Sequence, residues 1–570
     1  MKLLFRNLFA VLTIMILFSA CEDVTPPSSH IDGDAIQFSG EVALDMETDF
    51  VKRFPNRSSG MPNNRRAVDW LFTKFRSMGM YCQTDSWNII NYNRHVKLEN
   101  LICTLPGESQ QEIIIVAHHD QSPSTIQGAD NDGSGIAILL QLAKIFSRES
   151  SQKYTLVFVA SDGEEYGMLG TKRFMERHPN HRNIIAGISL DNLGKRYYDG
   201  IRMSAIGQFE GYGPLWLQQL AQESSKQGEA EWIPAMKSVI EQILDQAVPV
   251  SFMDQGPMVS AGIPAVGFAG TYPAEYSDAV WDTYHSERDS VIYQSAHSLE
   301  QSGRVAEATI RGLMSLDEFP KQNLPYVYRE SDFKILQGWP LKLILLCAIL
   351  PFFVIAGIRF RRIKERTTQL WKNACLSFLA MWIPLIASIM ELYLFVKIGL
   401  MDEYHLYPAT SKDPAIYSPK WMAVILFLVT LAALIWLGNR FARKFTNPSS
   451  ENHLSVVSFL VIGIGSVVIF LKNPFSVILI LPLYIWGLIH HRSSFRWMNI
   501  VWFLLGGAMI YALIGYFGFV IMQNDFAILW YLMMMFSCGM IGFPTAVIIT
   551  GLLASGIILV KEDEVRKTLL

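Results

Sequence analysis

The chain has 570 residues, 51% of them hydrophobic and 17% charged, and a formal net charge of −3. That length exceeds one ordinary domain, and the absence of any long basic stripe excludes a nucleic-acid partner. The apolar excess falls after residue 340, whereas 41–320 has the balance of a soluble domain large enough for a full core.

At the N-terminus, Lys2 and Arg6 precede an apolar run from Leu8 to Phe18, and Ser19-Ala20-Cys21 follows. A positive head, a short greasy core and small residues at the exit mark 1–21 as a secretory signal peptide, with an uncleaved anchor helix as the alternative. A Cys directly after Phe-Ser-Ala resembles the lipobox of bacterial lipoproteins, which makes Cys21 a candidate for acylation. Residues 22–40 carry a Pro/Ser/Asp-rich stretch and read as a tether.

Between 42 and 79 the pattern is helical, with Val68, Leu71, Phe72 and Phe75 at three- and four-residue spacing. Short apolar runs then predict buried strands at 112–117, 155–160, 184–190 and 263–268, and 134–146 predicts a helix with Ile136, Leu139, Leu140 and Ala143 inward. Alternating strands and helices imply an α/β fold: a mixed, largely parallel sheet with helices on both faces. Of six Cys, only Cys82 and Cys103 lie in the mature soluble part, and their spacing neither suits zinc nor decides whether they pair.

Sites in open α/β sheets collect beyond the carboxyl ends of strands. Here those ends deliver His118-His119-Asp120, Ser161-Asp162-Gly163-Glu164-Glu165 and Asp191-Asn192. Imidazole and carboxylate without a usable thiol are the ligand set for zinc in a hydrolytic site, and in His-x-Asp the Asp can hold the ring nitrogen that the metal does not use. Each motif alone is weak: a His-x-Asp arises by chance, and paired Glu residues are usually solvated.

In order, Ala117-His118-His119-Asp120, Gly128-Ala129-Asp130-Asn131-Asp132-Gly133-Ser134-Gly135, Glu164-Glu165-Tyr166-Gly167-Met168-Leu169-Gly170, Leu190-Asp191-Asn192 and Tyr284-His285-Ser286 resemble the co-catalytic zinc exopeptidases. That group includes secreted bacterial aminopeptidases, glutamate carboxypeptidase II and, with altered chemistry, the glutaminyl cyclases. The resemblance covers 41–311. It implies that His118 and Asp191 hold one zinc and Glu165 and His285 another, that Asp120 orients His118, and that Glu164 is the general base. It also implies peptide substrates attacked at the N-terminus. The family's bridging Asp falls on Asn131, a neutral amide, with Asp130 and Asp132 on either side. Two zinc ions are therefore expected from the family and one if Asn131 cannot bridge; a shifted loop would let Asp130 or Asp132 bridge instead. Asp254-Gln255-Gly256-Pro257 departs from the Ser-Asp-His often found there. His119 is expected to point away from the metal and His178 and His181 to be solvated. Trp281, Tyr284 and Tyr272 are candidates for a substrate pocket, or for packing.

Residues 321–340 read as a linker, 341–560 as an all-α transmembrane domain and 561–570 as a tail. Apolar runs at 341–358, 374–396, 421–437, 454–471, 475–489, 498–520 and 526–560 predict seven or eight helices, the last run being long enough for two. The connection holding Arg359, Arg361, Arg362, Lys364 and Arg366 is basic, as are those around Arg440 and His490, while the alternate ones are not. Basic loops inside put the soluble domain outside the cytoplasm, in agreement with the signal, and membrane lipid becomes a partner. Glu391 and Lys397, near one helix end, are expected to snorkel. The reading is an aminopeptidase-type metallo-exopeptidase at the outer face of a membrane. Its alternatives are a glutaminyl-cyclase-like transferase and a catalytically weak, peptide-binding ectodomain.

Overall fold

The computed structural model describes residues 21–23, 27–31, 35–91, 94–320, 326–329, 334–364, 366–401, 419–442, 444, 451–480, 527–537 and 541–568. They fall into two compact units, Met1–Pro340 and Leu341–Leu570. The signal segment before Cys21 and the apolar run at 498–520 lie outside the described residues.

In the first unit the described strands are β1 (Cys21–Asp23), β2 (Tyr81–Asn91), β3 (Arg94–Leu105), β4 (Ser109–His118), β5 (Tyr154–Ser161), β6 (Ile184–Leu190), β7 (Gly200–Ser204), β8 (Ala265–Thr271), β9 (Tyr326–Arg329) and β10 (Lys334–Gln337). Seven make one sheet in the order β2-β3-β5-β4-β6-β8-β7, and β1-β10-β9 form a separate small sheet. The four central strands β5, β4, β6 and β8 are parallel, with antiparallel pairs at both edges.

Successive side chains of a strand point to opposite faces, so a strand covered on both sides must be apolar at every position. In β4, Ile113, Ile115 and Ala117 enter the larger core, while Ile114 and Val116 enter the smaller one. The larger face is covered by helices Gly40–Arg53, Pro62–Ser77, Gly135–Phe146, Leu215–Gln227 and Ala296–Ser315, and the smaller by Leu169–Arg177 and Gln255–Ser260. Helix Gly135–Phe146 is buried nearly all round rather than along one stripe, because it packs against helices Gly40–Arg53 and Ala296–Ser315 as well as against the sheet.

The helical stretch expected across 42–79 is two helices. Pro55 disfavours helical backbone at the residue before it, and Phe54 stands at φ −125°, ψ 58°. The β2–β3 hairpin was not legible in the apolar pattern. Its register sets Cys82 opposite Cys103, Cα atoms 4.1 Å apart, and the two are disulfide-bonded.

Among the described residues, four helices are long and apolar enough to cross a membrane: Gly338–Arg362, Thr368–Lys397, Trp421–Phe441 and Asn452–Lys472. The 526–560 run contains two helices, Ala527–Ser537 and Phe543–Thr568, and the described part of the 475–489 run is a short 3-10 helix, Pro474–Ile480. Glu391 departs from expectation. Its carboxylate accepts the Thr430 hydroxyl at 2.5 Å, near the middle of the 22-residue helix Trp421–Ala442, so helix packing has captured it.

Peptide mapping without reductant should recover the Cys82 and Cys103 peptides joined; separate, alkylated peptides would contradict the pairing. Replacing both by Ala should cost about 3 kcal/mol of stability, the scale for closing a loop of this length, read from denaturant midpoints of the full chain.

Candidate metal centre

Strands β5, β4 and β6 lie side by side and parallel, so their carboxyl ends bring His118, the 161–165 turn and Asp191 to one edge. The turn after β5 requires Gly163, at φ +74°; a Cβ there would also meet Leu98 Cδ2 at 2.3 Å. Asp120 ties the loops together. Its Oδ1 lies 3.3 Å from His118 Nδ1, and its two oxygens accept the backbone N–H groups of Glu164 and Glu165 at 3.3 Å each. His118 Nε2 is thereby aimed at Asn131 Oδ1 (3.0 Å), Asp191 Oδ1 (3.8 Å) and Glu164 Oε2 (3.9 Å).

A second cluster faces the first. His285 Nε2 lies 3.0 Å from Glu165 Oε1, and the Asn131 amide nitrogen is 2.7 Å from that oxygen and 2.8 Å from the His285 nitrogen. Asn131 thus stands between the halves, its oxygen toward His118 and its nitrogen toward Glu165 and His285. His285 holds a left-handed backbone (φ 48°), with its carbonyl accepting from Ser124 Oγ at 2.7 Å and its ring stacked on Tyr284. Such a backbone at a residue bearing a side chain is the kind of local strain that concentrates at functional sites.

Asp130 is a correction to the expected ligand set. It is buried on the far side of the turn, where its carboxylate accepts Tyr198 Oη at 2.5 Å and Gly194 N at 3.0 Å and pairs with Lys195 Nζ at 3.2 Å. The reason is local: Asn131 (φ −113°, ψ 92°) and Asp132 (φ −128°, ψ 47°) break the helical path through Ala129–Ser134, so adjacent side chains leave in different directions. Asp132 does reach the centre. It offers an oxygen within 4.8 Å of ligand atoms of His118 and Asp191, although its carboxylate also accepts His118 N (3.2 Å) and Gly135 N (2.9 Å).

Charge is heavily concentrated here. Burial opposes a charge on His118, yet Asp120, Asp191, Glu164 and Asp132 outweigh it and hold the imidazole well above its usual range. Burial lifts Glu164 well above the carboxylate range, with Asp191, Asp254 and Glu165 adding to it and His118 opposing. Asp132 is raised in the same way, by burial first. Asp254, whose Oδ2 accepts Ser161 Oγ at 2.6 Å, is pushed by burial to about 6. More negative charge is gathered than the neighbouring cationic groups offset. Two imidazoles, buried carboxylates and no thiolate fit a divalent cation such as zinc.

His119 is buried on the other side, 3.9 Å from Asp162 Oδ2. His178 is not free in solvent: its Nε2 lies 2.8 Å from Glu112 Oε2. Trp281 packs edge-on against Tyr284, and Tyr272 stacks on Tyr198. Sequence reasoning missed Arg57, Lys195 and Asp289, all fully buried behind the 129–134 turn. Asp289 receives the backbone N–H groups of Asp130 (2.9 Å) and Asn131 (3.1 Å).

A carboxylate–imidazole centre at the carboxyl edge of a mixed, mainly parallel sheet defines the class as metallopeptidase-like α/β. Residues 100–310 match the model described as Peptidase family M28, and the chain carries a domain of that family. BOS complex subunit NCLN of Canis lupus familiaris is 37% identical over 113 residues, which are 17% of this chain and 20% of that protein. The chain thus spans about a fifth of the length of that relative. Aminopeptidase YwaD of Bacillus subtilis is 25% identical over 211 residues, 37% of this chain and 42% of its own. Among solved structures, the glutaminyl cyclase of Porphyromonas gingivalis is 22% identical, with a TM-score of 0.41 covering 48% of this chain and 98% of that one.

Proposed function

We propose that the first unit is a zinc-dependent exopeptidase of aminopeptidase type, acting on peptide N-termini at the outer face of a membrane. The observation that carries the reading is the division of labour at the edge of the sheet. His118, Asp191, Glu165 and His285 face each other across Asn131, while the Glu164 side chain stands beside them, 10% exposed and without a hydrogen bond among the described residues. Those four residues would hold zinc, which would polarise the scissile carbonyl and make water easier to deprotonate. Asp120 keeps His118 Nε2 turned inward through Nδ1, and through the Glu164 and Glu165 N–H groups it fixes where the base stands. Glu164 takes the proton of the attacking water on Oε2 and passes it to the departing amine.

Asn131 bears on the number of zinc ions. An amide offers one acceptor oxygen, and its N–H groups cannot ligate a metal. With its oxygen on the His118 side and its nitrogen bonded to Glu165 and His285, one tightly held zinc is favoured over two; Asp130, turned toward Tyr198 and Lys195, is not placed to bridge, which leaves Asp132 as the one neighbouring carboxylate that could. A second reading rests on the same residue and on the likeness to a BOS complex subunit: a domain that binds peptide or a partner within a protein complex, with little turnover.

The outer-face assignment is supported by the signal-like N-terminus, by the basic residues Arg359, Arg361 and Arg362 closing the first apolar helix, and by the Cys82–Cys103 bond, which suits an oxidising compartment. Cys21 pairs with Leu336 in the β1–β10 register, two residues before helix Gly338–Arg362 begins.

Three outcomes are expected. Glu164→Gln should lower turnover of aminoacyl substrates at least ~10²-fold, the scale of general-base catalysis, with zinc still bound; near-normal turnover would remove this mechanism. Elemental analysis should find one tightly held zinc per chain, rising to two in Asn131→Asp, and two in the wild type would defeat the argument from the amide. A reporter active only in the cytoplasm should be silent when fused after Gln337 and active after Arg366, and the reverse pattern would invert the topology.

A further inference from the structure

Arg57 lies in the loop between helices Gly40–Arg53 and Pro62–Ser77 and is fully buried. Burial draws its guanidinium down to about 10, which leaves it charged at neutral pH. Its hydrogen bonds reach two separate places. Nε donates to the His119 carbonyl at 2.9 Å, between the proposed ligand His118 and its orienting Asp120. Nη1 donates to Gln121 Oε1 at 2.9 Å and to the Gln127 carbonyl, and Nη2 to the Gly128 carbonyl at 2.7 Å. Gly128 immediately precedes the Ala129–Ser134 turn that carries Asn131.

The segment from 119 to 128 is therefore a loop whose two ends are held to one rigid cation. The guanidinium is planar and offers five donors in fixed directions, so the carbonyls it binds are spaced by its covalent geometry. A lysine ammonium has the charge without that span. The guanidinium also rests over the Phe50 ring, 4.8 Å away, which fixes its plane against helix Gly40–Arg53. The charges around it are Asp289, Asp132, Asp120 and Glu47. Glu47 is fully buried, with neither carboxylate oxygen hydrogen-bonded among the described residues. The geometric bonds of Arg57 all go to the loop, and the acids balance its charge from a distance.

We infer that Arg57 is a positioning residue that sets the separation between His118 at the end of β4 and Asn131 in the following turn, and through them the metal centre. This rests on the zinc reading above for its consequence, but not for the loop geometry itself. Outer-shell partners of metal ligands typically cost 10–100-fold in metal affinity when removed. Arg57→Lys should weaken zinc binding by at least ~10-fold, measured by competition with a chromophoric chelator on the full chain in detergent. Backbone amides of 119–134 should exchange hydrogen at least tenfold faster, on the order of the same loss.

Leu217→Ala, a core change in helix Leu215–Gln227, serves as a control for lowered stability alone and should leave both measurements at wild-type values. If Arg57→Lys does not accumulate, Gln121→Ala removes one of the four acceptors and should shift both measurements the same way, by less. Wild-type zinc affinity in Arg57→Lys (or in Gln121→Ala, where it replaces it), or equal losses in Leu217→Ala, would overturn the inference. If the wild type itself binds no zinc, the metal reading fails, and exchange alone decides: unchanged protection of 119–134 would then overturn the role of Arg57 as well.

Discussion

Asp120 has partners on both sides. One oxygen faces His118 Nδ1 at 3.3 Å, and both oxygens receive the N–H groups of Glu164 and Glu165. Burial disfavours a charge on this carboxylate, but the His118 imidazole overrides that cost and holds its pKa below the ordinary value. A buried carboxylate with such partners is strongly ordered, because removing any one of them leaves a charge in a medium that cannot solvate it. The loops after β4 and β5 are consequently locked to each other, and the orientation of His118 and the placement of both glutamates depend on that lock.

The parallel sheet supplies the setting. Loops from adjacent parallel strands emerge at the same edge, so three short polar segments meet there without any long connection. The balancing charges come from elsewhere in the chain. Lys195, in the loop after β6, pairs with Asp130, and Arg57, from between two helices, anchors the 119–128 loop. Buried ion pairs contribute little net stability after desolvation. Their physical use here is geometric, holding a turn with non-helical backbone in one arrangement.

What was legible in the sequence follows from the same physics. The central strands are covered on both faces and read as continuous apolar runs; β4, β5 and β6 lie where those runs fall. The edge strand β2 mixes exposed polar positions such as Gln83 and Asn88 with half-buried ones such as Asp85, so its apolar signal is diluted and the hairpin is not legible. Residues at strand ends, His118, Asp120, Glu164, Glu165 and Asp191, stand out in the sequence because charged groups directly after buried strands are anomalous, and the structure brings them to one edge of the sheet. Arg57 gave no such signal, since an arginine in a Pro-Asn-Arg-Ser-Ser-Gly loop has the composition of a solvated turn. The direction of Asp130 was also beyond reach: spacing gives the order of side chains along a turn but not the dihedral angles that aim them.

Asn131 can be understood against this crowding of charge. A carboxylate at that position would add a negative group to a cluster in which burial and repulsion already lift Glu164 and Asp132 well above their ordinary range. The amide removes that charge and, through its N–H groups, donates to Glu165, which a carboxylate cannot do, and lies 2.8 Å from the His285 nitrogen. A hydrogen bond to a charged group is worth roughly 1.5–3 kcal/mol net, enough to keep Glu165 and His285 together without a cation between them. The amide thus lowers the negative charge of the cluster and keeps its two halves in hydrogen-bonded contact, its oxygen toward His118 and its N–H groups toward Glu165.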